Sequence, residues 1–78
     1  MKNNLPLQLM DSVARGDRHI YRTVLKLVSI APIPPNQIML SQLLHTPTWK
    51  VRDAVEFWQL HGMIQSKQGM LYATQNLN

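Results

Sequence analysis

The stretch Pro35–Ile64, PNQIMLSQLLHTPTWKVRDAVEFWQLHGMI, decides how this chain of 78 residues is read. Asn36 follows a proline and stands where its side chain can accept from a first-turn N–H, the role of an N-cap. The segment after it, QIMLSQLLH, sets Leu40, Leu43 and Leu44 at helical spacing, which predicts a short amphipathic helix. Thr46-Pro47-Thr48-Trp49 interrupts that helix. Threonine then proline suits a cap and a first helical position, so a longer helix is expected from Pro47 to His61, closed by Gly62. Its apolar stripe is Val51, Ala54, Val55 and Trp58.

Downstream, MIQSK and MLYAT are two β-prone runs separated by Gln68-Gly69, a hairpin signal. The tail QNLN, residues 75–78, reads as frayed. Upstream, the prolines of APIPPN remove backbone donors, so at most a short edge strand fits near Ile30–Ile33. Before it, DRHIYRTVLKLVSI opens on Asp17 as a cap and places Ile20, Val24, Leu27 and Val28 on one face. Arg18, Arg22 and Lys26 line the opposite face, a row that reads as a solubility surface. Residues 5–15, LPLQLMDSVAR, space Leu9, Met10 and Val13 as a short helix that Gly16 would stop. The organisation expected is an N-terminal short helix or arm over 1–16, the main domain over 17–74, and the tail. Two helices joined by a tight turn and followed by a hairpin give a mainly α fold with a small β-hairpin. This is the layout of a winged helix-turn-helix, with a three-helix core, a wing and room for an extra N-terminal helix.

Composition narrows the function. A chain this short builds one core with little room for a deep substrate cavity, so an enzyme is not expected. With four carboxylates and no serine flanked as an activated nucleophile, no catalytic arrangement emerges. There is no cysteine, hence neither a disulfide framework nor a thiolate metal site. His19, His45 and His61 lack partners at ligand spacing, so no metal and no other cofactor is expected. The five methionines read as core filler. Lys2 precedes an apolar stretch already broken by Pro6, Gln8 and Asp11, so no targeting segment is read and a cytoplasmic location without membrane contact is expected. Eight basic residues against four acidic ones give a formal charge of +4, a sign that favours a polyanionic partner, nucleic acid first.

Over Pro35–Ile64 the chain resembles, without a gap, the DNA-binding half of the GntR family of bacterial transcription regulators. Pro35-Asn36 match that family's cap, Leu40-Ser41 the middle of the first helix and Leu43 its end. Val51-Arg52-Asp53-Ala54 match its signature and Gly62-Met63-Ile64 its close. The family's turn usually holds serine and arginine where this chain has Pro47-Thr48-Trp49, and its wing is longer and more basic than QSKQG. No effector-binding segment follows the wing here, so the family's ligand control is not part of the expectation.

The resemblance implies sequence-specific binding of double-stranded DNA by a small regulator of transcription, or of plasmid or phage replication. The helix 47–61 would enter the major groove, and a homodimer or protein partner would extend its few base pairs of specificity. The DNA-binding candidates are Thr48, Trp49, Lys50, Arg52 and Lys67. The guanidinium of Arg52 can grip guanine O6 and N7 bidentately, and it matches the arginine that the resemblance assigns to operator contact; its bland reading is an i,i+4 pair with Glu56. Lys50 and Thr48 suit phosphate or a base edge, and Lys67 at the hairpin tip suits phosphate or the minor groove. Against this stand Asp53 and Glu56 beside Arg52, and Trp49, Phe57 and Leu60 off the core stripe. Trp49 is read either as stacking on sugar or a partner protein or as folding back against the preceding helix, and Phe57 and Leu60 as packing under the N-terminal helix or the wing. These residues motivate the alternative, a winged-helix protein-interaction module that does not bind DNA.

Overall fold

The computed structural model describes residues 10–74. A 3-10 turn at Met10–Ser12 precedes helix α1 (Arg15–Ile30), helix α2 (Gln37–Leu44) and helix α3 (Thr48–Leu60). Strands β1 (Ile64–Lys67) and β2 (Met70–Ala73) follow. Three helices against one antiparallel hairpin make the mainly α, winged-helix-like arrangement expected from the spacing.

The core is built on α3, whose Val51, Ala54, Val55 and Trp58 are all fully buried, the stripe read from the sequence. Trp58 reaches α1, where its indole Nε1–H donates to the Tyr21 carbonyl at 2.8 Å. That bond matters because an indole N–H buried without an acceptor would carry its full desolvation cost. Helix α1 contributes Val24, Leu25 and Val28, with Ile20 and Leu27 half-buried. Leu25 was absent from the expected stripe; it is covered because α1 packs against β2 as well as α3. Met10 and Val13 complete the core from the N-terminal side, Met63, Ile64 and Leu71 from the hairpin.

Several local readings shift. The helix expected over residues 5–15 lies partly outside the described residues, as do the arm 1–9 and the tail 75–78. What is described is a single 3-10 turn, then Ala14 in extended backbone (φ −55°, ψ 139°) at the cap of α1. Gly16 therefore sits inside the first turn of α1 instead of ending a helix. Asp17 is also inside that turn, near the positive helix end, and is not the cap. The buried side chains of Met10 and Val13 set where the chain bends, so the break falls before Gly16.

No edge strand forms at Ile30–Ile33, because α1 continues through Ile30 and closes with the Ala31 N–H on the Leu27 carbonyl. The proline loop offers the sheet one rung, the Pro35 carbonyl accepting from the Leu71 N–H at 2.8 Å. Neither Pro34 nor Pro35 has an N–H with which to return it. The Asn36 reading holds, since its side chain accepts from the Met39 N–H at 2.8 Å.

Helix α3 begins one residue later than expected. Pro47 occupies the cap position, and its carbonyl accepts from the Lys50 and Val51 N–H groups. Thr46 does not cap; its hydroxyl donates to the Leu44 carbonyl at 2.9 Å. The far end closes as read, with Gly62 at φ 75° and the Met63 N–H returning to the Trp58 carbonyl at 2.8 Å, a Schellman closure. The hairpin turns at Gln68 (φ 53°) and Gly69 (φ 82°) between the paired Lys67 and Met70. Positive φ at both central residues is the type I′ requirement and matches the strand twist. The Thr74 hydroxyl donates to the Gly62 carbonyl, tying the hairpin base to the end of α3.

Candidate nucleic-acid interface

The turn between α2 and α3 is three residues, His45 to Pro47, the length of a helix-turn-helix connection. His45 closes α2 in the left-handed region (φ 50°), a conformation that usually falls to glycine or asparagine. The Ser41 hydroxyl donates to the Thr46 carbonyl and holds the loop from below. The start of α3 is thereby presented with no acidic residue in its first turn. A helix N-terminus of this kind carries partial positive charge.

Of the five candidate residues, Thr48, Trp49 and Lys50 lie together in that first turn, and Arg52 follows one turn after Thr48. Thr48 and Arg52 are exposed and at i,i+4 share one face. Among the described residues Arg52 has no ion-pair partner, so the pairing with Glu56 does not form. Trp49 is not part of the core and is 55% exposed.

Lys50 also reaches toward α1. Its Nζ meets Asp17 Oδ1 at 2.8 Å, with both side chains about a third exposed. It also stands over the Trp49 ring, 5.7 Å from the centroid. A partly exposed pair of this kind contributes at most about 1 kcal/mol. Its larger consequence is positional: it pins the start of α3 to the start of α1 and matches the lysine charge locally.

Asp53 also changes place. It does not project beside Arg52 but is half-buried and acts on Tyr21 of α1. The Tyr21 phenol is held above its ordinary value of 10.0 first by burial, then by the charges of Asp53 and Asp17, with Lys50 opposing. Phe57 packs under α1, its ring 5.3 Å from Tyr21 in an edge contact and 4.6 Å from His61. Leu60 stays outside at 82% exposure. Of the residues that argued against a phosphate-facing surface, Glu56, Trp49 and Leu60 remain on the outside of α3, whereas Asp53 and Phe57 turn toward α1.

Lys67 is exposed at the end of β1, directly before the wing turn. No contact joins it to Arg52 or Lys50 among the described residues. On α1, Arg22 and Lys26 are exposed, while Arg18 is half-buried and its Nε–H donates to the Val13 carbonyl at 2.9 Å. That row is therefore partly structural.

Two features escaped the sequence reading. The Lys50–Asp17 pair joins residues far apart in the chain, with no local signal. The second is α2, whose Leu43, expected in the core, is 65% exposed beside Ile38 at 61% and Met39 at 43%. Its signal was available: from Leu27 to Trp49 the chain has no Asp, Glu, Lys or Arg.

Among the described residues no helix is long and apolar enough to cross a membrane. Compared with protein-family models, curated proteins and solved structures, the chain has no match in any of the three.

Proposed function

We propose that this chain is a small double-stranded-DNA-binding protein of winged-helix type, serving as a regulator of transcription or of plasmid or phage replication. The observation that carries the reading is Arg52, exposed and without an ion-pair partner among the described residues, on the same face as Thr48 at the open N-terminal end of α3. The resemblance of Pro35–Ile64 to the GntR DNA-binding half, the winged-helix-like fold and the net charge of +4 support it. In this mechanism Arg52 reads a guanine edge, Thr48 and the first-turn N–H groups meet phosphate, and Lys67 approaches the backbone from the wing. Lys50 positions α3 through Asp17 instead of contacting DNA.

Fluorescence anisotropy of a labelled duplex, titrated over a range of salt, tests it. Arg52→Ala is expected to weaken specific binding by about 1–3 kcal/mol, and Lys67→Ala to make the log–log salt slope shallower by about 1. A wild-type slope near zero, or Arg52→Ala binding as tightly as wild type, sinks the proposal. A second reading, an interaction module that leaves DNA alone, is favoured by the exposed Trp49 and Leu60 on α3. Under it, both substitutions leave duplex binding equally absent.

A further inference from the structure

Helix α3 carries two acids, Asp53 and Glu56, and the fold treats them differently. Asp53 is half-buried and acts on Tyr21 of α1, whereas Glu56 is exposed. The buried stripe of Val51, Ala54, Val55 and Trp58 defines the inward direction of the helix. At about 3.6 residues per turn, Glu56 lies within about 30° of the opposite, outward direction, and Arg52 lies about 40° further round. Their i,i+4 spacing allows an ion pair, yet among the described residues neither forms one. The outer side of α3 therefore presents an unmatched guanidinium and an unmatched carboxylate one turn apart.

We infer, resting on the DNA-binding reading of α3, that Glu56 is a specificity-determining residue, accepting from the N4 amino group of a cytosine one or two base pairs from the guanine that Arg52 reads. A carboxylate can only accept hydrogen bonds. Phosphates, guanine O6 and N7, and thymine O4 are acceptors and repel it. The donors on the major-groove edges are the amino groups of cytosine and adenine. Adenine sets its N7 acceptor beside that amino group, whereas cytosine shows no acceptor there, so cytosine is the base that suits a carboxylate best. An acid in this place opposes binding wherever no amino group meets it, which is a device for rejecting wrong sequences.

The spacing along the helix agrees. Four residues advance about 6 Å, against about 3.4 Å for each base pair. A helix lying along the groove thus carries the Glu56 side chain one or two base pairs beyond that of Arg52. One side chain only donates and the other only accepts, so together they specify the order of a guanine and a cytosine. Because the two do not pair with each other in the free chain, docking breaks no bond between them.

Selection of bound duplexes from a randomised library by the full chain tests this. Wild type is expected to enrich sites with a cytosine one or two base pairs from a guanine. In fluorescence anisotropy, changing that C·G pair to T·A should weaken wild-type binding about tenfold and Glu56→Ala binding less than about twofold. Glu56→Ala should also bind unrelated duplexes more tightly than wild type, since a charge that repels phosphate is gone. Glu56→Gln should select adenine at the same position, where an amide donates to N7 and accepts from N6. A merely structural role for Glu56 produces no such change of base. The side chain is exposed, so circular dichroism and melting temperature should match wild type in both variants. Identical base preferences in wild type and both variants overturn the inference and leave DNA binding intact. Absence of duplex binding by wild type overturns the DNA reading and the inference together, so the two failures are told apart.

Discussion

Helices α2 and α3 are neighbours across a three-residue turn and are treated oppositely by the fold. Helix α3 puts Val51, Ala54, Val55 and Trp58 fully inside and meets α1, α2 and β1. Helix α2 fully buries Leu40 and leaves Ile38, Met39 and Leu43 in solvent. The difference lies in how apolar residues are distributed around each axis. On α3 charged and polar residues, Thr48, Arg52, Glu56 and Gln59, occupy most of the outer side, so one face is favoured inward although Trp49 and Leu60 stay outside. On α2 apolar residues surround most of the helix, and hydrophobicity does not say which side faces the core. Contact with the larger neighbour decides it.

The contrast can be broken at its strongest point first. Trp58→Ala should cost about 3–5 kcal/mol and Leu40→Ala about 2–5 kcal/mol in urea denaturation, since both leave cavities in a close-packed core. Leu43→Ala, three residues from Leu40, should stay within about 0.5 kcal/mol of wild type. A Leu43→Ala loss as large as that of Leu40→Ala would mean that the two faces of α2 are assigned the wrong way round.

The turn that separates the helices provides a smaller effect of opposite sign. His45→Gly relieves a left-handed backbone at a side chain that makes no hydrogen bond among the described residues, and should stabilise the fold by about 1 kcal/mol. An unchanged or lower melting temperature contradicts that assignment. The smallest effect is electrostatic and belongs to the α1–α3 contact. The Tyr21 phenol is raised in the folded chain, so the folded state holds its proton more tightly than the unfolded state does. The stability from this source is complete below the ordinary value of 10.0 and is lost as pH rises through the raised folded value. Tyr21→Phe should therefore flatten the decline of the urea midpoint above that pH. An identical alkaline decline in Tyr21→Phe and wild type would place its cause elsewhere.

Much of the α3 side of the comparison was legible beforehand, because its signals are local. The apolar stripe, the Gly62 stop and the Gln68-Gly69 hairpin each depend on backbone geometry within a few residues, and each is found where it was expected. The Asn36 cap is local in the same sense. Readings failed where a local signal had two outcomes. Gly16 suits a helix end and an exposed first turn alike, and Thr46-Pro47 suits a cap one residue earlier than the one the chain uses. At the candidate site, Arg52 and Lys67 stand exposed as expected, whereas Lys50 is countered by Asp17 and Asp53 turns toward Tyr21.

The sequence by itself determined the order of elements, the buried stripe of α3, the turn chemistry and the excess of four positive charges. These follow from short-range sterics, periodicity and composition. The tertiary structure alone decided which lysine is matched, by laying α1 against α3 so that Asp17 reaches Lys50, and which side of α2 is left to solvent. Both depend on how helices pack, a relation between residues distant in the chain that no local period encodes.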